Sequence, residues 1–367
     1  MKITLIGKPQ IVMQNPDSHH NYFAWPTAAR LQNGRIAVVA SGFRLEHLCP
    51  FGKLVIAYSD DEGESYSAPA PIMDTPLDDR DGGILPFGEK GVMVTSFNHP
   101  RASYRAWAPR YAKTPEMLEY VNRYLDTVTD EQEERYLGAT FRMSRDGGIT
   151  FGPIKKSPIT SPHGPTLLSD GTILWVGTVI REEKENFIAV YRVSPEGETE
   201  KLGTIEDIFY DGERQHSCEP YAIELPDGSI LCHIRVQNIG KSSVAGSLFT
   251  VFQSVSQDGG RTWSRPVQIL PAKSGAPSHI LRHSSGVLVS TYGRRITPYG
   301  IKAMFSLDNG KSWDVDHDLF VNDATTDLGY PSTVELRDGS LLTVFYARPT
   351  PDAPSVVIMQ QRWRFEK

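Results

Sequence analysis

The stretch EPYAIELPDGSILCHIR, residues 219–235, contains two apolar runs separated by an Asp-Gly turn at Asp227. Apolar and polar residues alternate within each run, and this pattern around an Asp-Gly pair is typical of a β-hairpin. Five further stretches share the design, and they begin at Trp25, Gly82, His163, Ser278 and Tyr330. Hairpins that recur at intervals of roughly 50 to 80 residues indicate six repeated units of β-sheet.

A second phrase, Ser-x-Asp-x-Gly-x-Ser/Thr-aromatic, recurs between the hairpins. It begins at Ser59, Ser144, Ser256 and Ser306. Asp and Gly are residues of tight turns, and the aromatic side chain is suited to packing between neighbouring sheets. We therefore interpret the aspartates of these phrases as turn residues rather than catalytic groups: Asp61, Asp146, Asp258 and Asp308.

The repeats predict an all-β fold, a six-bladed β-propeller with four strands in each blade, formed by a single domain over residues 1–367. The N-terminal segment ITLIGKPQIVMQ, residues 3–14, is expected to supply the strand that closes the ring. One insertion interrupts the repeats at about residues 113–137. Thr114 suits a helix N-cap and Pro115 the first helical position, so we expect a helix in blade two.

Composition narrows the possible partners. The chain has 38 basic and 44 acidic side chains and a net charge of −6, which gives no overall attraction to nucleic acid or to an anionic membrane. No apolar run approaches the roughly 20 residues of a membrane span. The three cysteines do not form a disulfide or zinc pattern, so we expect neither a metal nor a cofactor. The N-terminal residues lack a secretory signal, which predicts a cytoplasmic location, and no feature indicates an oligomeric state.

Residues at the starts of the hairpins are candidates for a functional site. The first strand of each propeller blade lies nearest the central axis, so the residues that precede these strands meet at one end of the channel. We call this end the mouth. It is predicted to contain Trp25, Asp79, Arg80, Asp81, His163, Glu219, Ser278, His279 and Tyr330. So many titratable side chains indicate a binding or catalytic site rather than a set of structural turns.

The Ser-x-Asp-x-Gly-x-Thr-Trp phrase resembles the Asp box of the sialidase (neuraminidase) superfamily, and the resemblance covers essentially the whole chain. In sialidases a glutamate opens blade four, an arginine ends the same hairpin, and a tyrosine opens blade six. Glu219, Arg235 and Tyr330 match these positions. The resemblance implies a retaining exo-glycosidase that releases a terminal acidic sugar, with Tyr330 as nucleophile and Glu219 as its base.

The chemistry of a sialic acid explains why these residue types are needed. Its carboxylate lies on the anomeric carbon and repels an anionic Asp or Glu nucleophile, whereas a neutral tyrosine hydroxyl avoids this repulsion. Sialidases bind the carboxylate with three arginines, whose planar guanidinium groups fit it bidentately. SGFRLEHLCPFGK and YGRRITPYGIK share a pattern that aligns Arg44 with Arg295. Together with Arg235, these two residues are expected to form the carboxylate site.

The chain departs from the sialidase pattern at the start of blade one. Sialidases usually have an arginine there, whereas this chain has Ala24 and Trp25. Arg44 or Arg80 is expected to substitute for the missing arginine. Trp25 would then be available to stack on a sugar face.

The acid/base aspartate of sialidases also has no clear equivalent. The loop that should carry it reads RLEHLCPFGK and offers Glu46 and His47, while Asp79 and Asp81 are alternatives. Histidine is the commonest general acid/base in enzymes, which makes His47 a catalytic candidate. His163 and His279 are added as candidates for substrate contact.

Other functions stay open besides the sialidase-type activity. One is another glycosidase that acts on uronate-containing glycans, and two belong to other function classes. A propeller lyase would abstract a proton beside a uronate carboxylate, with Tyr330 and His163 as the reacting residues, and its products would absorb in the ultraviolet. A non-catalytic propeller would bind an acidic glycan without turnover. The many titratable residues of the mouth favour an enzyme over the binding protein.

Overall fold

The chain was analysed as a computed structural model that describes residues 1–179, 187–238, 246–322 and 324–367. Six four-stranded antiparallel sheets are present in this part of the chain, together with a short two-stranded hairpin. The innermost strands of successive sheets contact one another around a closed ring. The predicted six-bladed propeller is therefore confirmed.

In each blade the strands follow one another along the sequence from the axis outwards. The exception is β1 (Lys2–Met13), which is the outer strand of blade six. Blade one contains β2 (Tyr22–Arg30), β3 (Ile36–Arg44), β4 (Lys53–Ser59) and β5 (Ala70–Met73). Blade two contains β6 (Arg80–Phe87), β7 (Gly91–Phe97), β8 (Ala139–Ser144) and β9 (Lys155–Lys156). Blade three contains β10 (Thr166–Leu167), β11 (Ile173–Val179), β12 (Phe187–Val193) and β13 (Thr199–Ile205).

The remaining strands complete the ring. A hairpin of β14 (Phe209–Tyr210) and β15 (Glu213–Arg214) precedes blade four. Blade four contains β16 (His216–Glu224), β17 (Ile230–Gln237), β18 (Phe249–Ser256) and β19 (Val267–Gln268). Blade five contains β20 (Ser278–Arg282), β21 (Leu288–Arg294), β22 (Gly300–Ser306) and β23 (Asp314–Val321). Blade six contains β24 (Gly329–Glu335), β25 (Leu341–Ala347) and β26 (Val357–Glu366).

The N-terminal strand closes the ring, as the sequence predicts. β1 pairs antiparallel with β26, so that Lys2 lies opposite Glu366, and it forms the outer edge of blade six. Blades six and one also share a continuous apolar core that includes Val38 and Val344. The two ends of the described chain are thus joined by backbone hydrogen bonds and by packing between blades.

Three helices lie between β7 and β8 of blade two. They are α1 (Arg101–Tyr111), α2 (Pro115–Thr127) and α3 (Asp130–Tyr136). The predicted cap of α2 is present, since the Thr114 hydroxyl accepts a hydrogen bond from the Met117 backbone nitrogen at 3.2 Å. The helical segment starts earlier than predicted, at Arg101. The sequence did not reveal α1 because this helix has no side-chain cap and contains Pro109, so it lacks the usual helix signals. In the described ranges, no helix is long and apolar enough to cross a membrane.

The repeated Ser-x-Asp phrases form turns on the outer side of the blades. In the third phrase, Asp258 accepts hydrogen bonds from the Thr262 backbone nitrogen at 2.9 Å and from the Thr262 hydroxyl at 2.7 Å. These bonds lower the pKa of Asp258 to about 2, so the carboxylate stays ionised as an acceptor. Asp61, Asp146 and Asp308 make equivalent bonds. The interpretation of these aspartates as turn residues is supported.

Aromatic residues of two phrases connect neighbouring blades. The indole nitrogen of Trp313 in blade five donates to Gln253 of blade four at 2.9 Å. The hydroxyl of Tyr66 in blade one donates to Gln360 of blade six at 2.6 Å. The turns therefore help to hold the angle between blades, which in turn fixes where the inner strands meet.

We expect the Asp258→Ala variant to be less stable but fully active. The substitution removes the turn bonds to Thr262 and should lower the Tm by about 2 to 5 °C, measured by differential scanning calorimetry. Asp352→Ala, which changes an exposed aspartate outside the repeats, is the control and should leave the Tm unchanged. A stable but inactive Asp258→Ala variant would contradict the purely structural role.

Candidate active site

Four inner strands carry a bulge at the same position near the mouth. The pairing between each of these inner strands and the second strand of its blade shifts register there; the inner strands are β2, β6, β16 and β24. The bulged residue has a positive φ of 49° to 56° in each case, and the four residues are Trp25, Asp81, Glu219 and Tyr330. Non-glycine residues seldom adopt this conformation, which costs about 1 to 3 kcal/mol and is concentrated at functional sites. A bulge also changes the direction of a side chain, so these four are the main candidates for the site.

Tyr330 and Glu219 form a hydrogen-bonded pair. The Tyr330 hydroxyl donates to Glu219 Oε1 at 2.6 Å, and an Arg235 terminal nitrogen lies 2.6 Å from Glu219 Oε2 and 3.1 Å from the same hydroxyl. Burial and then the charge of Glu219 raise the pKa of Tyr330 well above its usual value, while Arg235 opposes them. The hydroxyl is therefore protonated at rest and directed at a carboxylate that can take its proton.

Arg295 also lies next to Tyr330. Its guanidinium carbon is 5.7 Å from the centre of the Tyr330 ring, and it donates hydrogen bonds to the Leu328 carbonyl at 3.1 Å and the Tyr346 hydroxyl at 3.2 Å. Arg235 and Arg295 also both lie over Phe249, at 5.1 and 5.8 Å from its ring centre. Two of the three predicted arginines are therefore brought together next to the tyrosine.

Arg44 does not join them. Its side chain is 0% exposed, and both terminal nitrogens bind the carboxylate of Asp78, one of them at 2.8 Å. The same carboxylate accepts a hydrogen bond from Tyr104 of α1 at 3.1 Å. The prediction that Arg44 binds the substrate is corrected, because a substrate cannot reach a guanidinium group that is enclosed with its own counter-ion.

Trp25 is also enclosed. The residue is 1% exposed, and the guanidinium carbons of Arg80 and Arg44 lie 4.0 and 4.8 Å from the centre of its ring. Stacking of Trp25 on a sugar is therefore excluded, and cation–π contacts with the two arginines account for its position. Arg80 donates to the His47 carbonyl at 3.0 Å and contacts Asp78, but its Nε has no hydrogen-bond partner within the described ranges. Arg44 and Arg80 were the two predicted substitutes for the arginine that sialidases have at the start of blade one. Of these two, the geometry favours Arg80.

The two candidate aspartates of blade two have different surroundings. The Asp79 carboxylate is fully buried and accepts bonds from the Thr75 backbone nitrogen at 2.8 Å and the Thr75 hydroxyl at 3.0 Å, so it is a turn residue and its predicted catalytic role lacks support. Asp81 is 5% exposed, and its Oδ1 has no hydrogen-bond partner in the part of the chain described. Burial, with a smaller contribution from Glu219, raises the pKa of Asp81 to about 7, although Arg80 opposes this.

His163 and His279 lie further along the channel than the mouth. Both are buried, His163 bonds to the Thr27 hydroxyl at 3.1 Å, and His279 stacks on Tyr221 with 4.6 Å between ring centres. Burial lowers the pKa of both rings, that of His279 to about 3. Their neighbours Thr27 and Tyr221 follow the bulged residues Trp25 and Glu219 by two positions along the inner strands. The two histidines therefore lie one layer of side chains below the mouth. The prediction that these histidines contact substrate is not supported.

His47 occupies the mouth with a partner that sequence reasoning missed. Its Nδ1 lies 2.9 Å from Asp327 Oδ1 and 2.8 Å from the Tyr22 hydroxyl. Glu46, the other candidate of the same loop, is instead paired with Lys113 of the helical segment. Asp327 precedes Tyr330 by three residues, and an acidic residue just before an inner strand is the signal that would have identified it.

The buried pair of Arg44 and Asp78 leads to a prediction. Arg44→Met should lower the free energy of unfolding by about 3 to 5 kcal/mol in urea, because it leaves a buried carboxylate without its main partner. The double variant Arg44→Met/Asp78→Asn should be more stable than Arg44→Met, since the unpaired charge is also removed. Arg35→Met, which breaks an exposed pair with Asp60, should have a smaller effect and is the control. An Arg44→Met variant of normal stability that fails to bind substrate would return Arg44 to the carboxylate site.

The profile of the BNR repeat-like domain family matches residues 126–343, which is more than half of the chain. No curated protein sequence matches it significantly. A solved structure from Dyadobacter fermentans, described as a protein of unknown function, is 18% identical, has a TM-score of 0.74 and covers 99% of both chains.

Two solved enzymes have the same architecture. The NanB sialidase of Streptococcus pneumoniae is 13% identical with a TM-score of 0.66, over 96% of this chain and 70% of that one. The intramolecular trans-sialidase of Ruminococcus gnavus is 12% identical with a TM-score of 0.61, over 97% of each chain. At these identities the similarity demonstrates the fold. The family profile and the shared architecture together establish that the chain belongs to the BNR repeat-like domain family and has the six-bladed propeller fold of the sialidase superfamily.

Proposed function

We propose that this protein is a retaining exo-glycosidase of the sialidase type, which releases a sialic acid or a related carboxylated sugar from the end of a glycan. The observation that carries the proposal is the 2.6 Å hydrogen bond from the Tyr330 hydroxyl to Glu219, with Arg235 in contact with both groups. A tyrosine that is buried, strained at φ 50° and bonded to a carboxylate has the features of an activated nucleophile.

The first chemical step follows from this geometry. The Tyr330 oxygen attacks the anomeric carbon while its proton passes to Glu219 Oε1. The bond from that carbon to the leaving oxygen breaks as this oxygen takes a proton from a general acid. The positive charge of Arg235, 3.1 Å from the tyrosine oxygen, stabilises the negative charge that develops there during the transfer. The product of this step is a sugar bonded covalently to Tyr330.

The second step releases the sugar. A water molecule attacks the same carbon and gives one proton to a general base, the bond to the Tyr330 oxygen breaks, and Glu219 returns its proton to the tyrosine. Two displacements at one carbon give a product with the original anomeric configuration.

An acidic sugar is the substrate class that these charges favour. Arg235 and Arg295 both lie against Tyr330, and the hydrogen bonds of Arg295 include those to two neutral groups, the Leu328 carbonyl and the Tyr346 hydroxyl. A carboxylate on the anomeric carbon would come close to both guanidinium groups when that carbon reaches the tyrosine oxygen. The same carboxylate explains why a neutral nucleophile is used in place of Asp or Glu.

The lyase alternative receives less support. It requires Tyr330 and His163 to act on one substrate, yet His163 is buried against Thr27 and Tyr221 in the next layer of the channel. An assay for ultraviolet-absorbing products on uronate-containing glycans distinguishes the two activities, since only a lyase forms a new double bond.

The Tyr330→Phe variant tests the nucleophile. It lacks the attacking oxygen and should lose several orders of magnitude in kcat on a sialic acid glycoside, while the arginines still bind the substrate. Glu219→Gln should be similarly impaired, and the double variant should be hardly worse than either single one, because the two residues serve one step.

Tyr191→Phe is the matched control, since it removes a tyrosine hydroxyl from β12 of blade three, and it should keep normal kcat. Mass spectrometry of enzyme treated with a fluorinated sialic acid should detect a covalent adduct on Tyr330. An inverted product, or normal turnover by Tyr330→Phe, would refute the proposal.

Arg295→Ala tests the carboxylate site. Loss of a charge-assisted contact costs about 2 to 5 kcal/mol, so kcat/KM should fall roughly 30-fold or more. Steady-state kinetics should give the same decrease for Arg235→Ala, whereas Arg282→Ala, an exposed arginine at the far end of β20, should be unaffected. Unchanged kinetics in both Arg295→Ala and Arg235→Ala would show that the substrate anion binds elsewhere.

A further inference from the structure

The mouth contains a second group of polar side chains that the Tyr330 and Glu219 steps do not use. His47 Nδ1 is 2.9 Å from Asp327 Oδ1, and the Tyr22 hydroxyl donates to Asp327 Oδ2 at 2.8 Å. The Tyr346 hydroxyl donates to Asp327 Oδ1 at 3.1 Å. Burial acts to raise the pKa of Asp327, but His47, Tyr22 and Arg295 outweigh it and lower the pKa to about 2. Asp327 is thus an ionised acceptor for the surrounding donors.

An ionised Asp327 fixes the state of the imidazole. A carboxylate only accepts hydrogen bonds, so His47 carries a proton on Nδ1 and keeps Nε2 for another partner. Nε2 makes no hydrogen bond to any residue in the described ranges, and the side chain is 35% exposed. His163 and His279 differ in this respect because both are buried in the channel.

Contacts through Trp25 link the His47 group to the nucleophile. The His47 ring packs edge-on against Trp25 with 5.1 Å between centres, and Trp25 is in turn 6.5 Å from the Tyr330 ring. Tyr346, which binds Asp327, also accepts a hydrogen bond from Arg295. The Trp25 ring therefore lies between His47 and the reacting tyrosine. Asp327, the partner of His47, is linked through Tyr346 to Arg295, which is proposed to bind the carboxylate of the substrate.

We infer that His47 is the catalytic acid and base of this active site and that Asp327 is its positioning residue. The inference rests on the proposed glycosidase function. In the first step, Nε2 of the protonated imidazole gives its proton to the leaving oxygen as the bond from that oxygen to the anomeric carbon breaks. In the second step, the neutral Nε2 takes a proton from the attacking water, and the Tyr330 to sugar bond breaks. One proton leaves and one returns, so His47 ends the cycle as it began.

Exposure favours His47 over Asp81 for this role. An exo-glycosidase holds the terminal sugar inside, and the rest of the glycan projects into solvent, so the leaving oxygen lies towards the opening. His47 is 35% exposed, whereas Asp81 is 5% exposed and its charge interacts with Glu219. Asp81 thus lies on the side of the nucleophile pair.

The groups around His47 determine the direction of its pH dependence. Asp327, with Tyr346 bonded to it, faces His47 from blade six, Tyr22 and Arg44 face it from blade one, and Arg80 from blade two. Burial lowers the pKa of His47 from its usual value near 6.5, and Asp327 opposes this. Because the acid must be protonated, kcat/KM for a poor leaving group should fall as the pH rises through this pKa. Asp327→Asn removes the supporting anion and should move that fall to lower pH.

The test compares two leaving groups on the same sugar. A sialic acid linked to lactose needs a proton on its leaving oxygen, whereas its nitrophenyl glycoside leaves as a stable phenolate. His47→Gln should lose about 10²-fold to 10⁴-fold in kcat/KM on the lactose substrate and much less on the nitrophenyl substrate. Residual nitrophenyl activity also demonstrates that the variant is folded. Asp327→Asn should also lose more activity on the lactose substrate than on the nitrophenyl substrate, and its kcat/KM should fall at a lower pH than that of the wild type.

His20→Gln is the matched control, because the His20 ring bonds the Phe43 carbonyl rather than Asp327, and it should keep the wild-type ratio of the two activities. Equal losses on both substrates, or no loss, in His47→Gln would overturn the inference. A leaving-group preference found in Asp81→Asn instead would assign the acid to Asp81. If wild-type enzyme cleaves neither substrate, the proposed function itself fails, and that result is distinct from activity that is independent of His47.

Discussion

The position of the candidate active site depends on a backbone constraint, the bulge with positive φ near the start of four of the six inner strands. Trp25, Asp81, Glu219 and Tyr330 each occupy a conformation that non-glycine residues avoid. A regular strand would send alternate side chains to the two faces of a blade, whereas the bulge turns these four away from that alternation. The strain is tolerated because the surrounding blades hold the backbone in place.

Rigidity comes from contacts at a distance from the mouth. Hydrogen bonds of the Asp boxes shape the outer turns, and Tyr66 and Trp313 bond to residues of the neighbouring blade. Buried apolar strips between blades resist any change of their angle. The 2.6 Å bond from Tyr330 to Glu219 joins residues 111 positions apart in the sequence, so small rotations of blades four and six would break it. A stiff ring is therefore a condition for the proposed chemistry.

The sequence was informative wherever a signal repeats. Six hairpins of similar design gave the blades, and Glu219 and Tyr330 were recognised because each opens one of these hairpins at a position that matches the sialidase pattern. Features that occur once were harder to predict. Whether Arg44 or Arg80 is available to a substrate depends on Asp78, whose pairing is a tertiary contact without a sequence pattern. The place of Asp327 just before β24 was an available signal, but its pairing with His47, 280 residues away, is again a tertiary contact without a sequence pattern.

Closure of the ring by β1 and β26 has a consequence for synthesis of the protein. β1 remains without its partner until β26 has been made, because Lys2 pairs with Glu366. During that time β1 is an exposed edge whose free backbone groups can pair with other chains. Its exposed residues include Lys2 and Lys8, and charged side chains of this kind discourage such pairing. Blade six, which carries Tyr330, is thus the last blade whose sheet can be completed during translation.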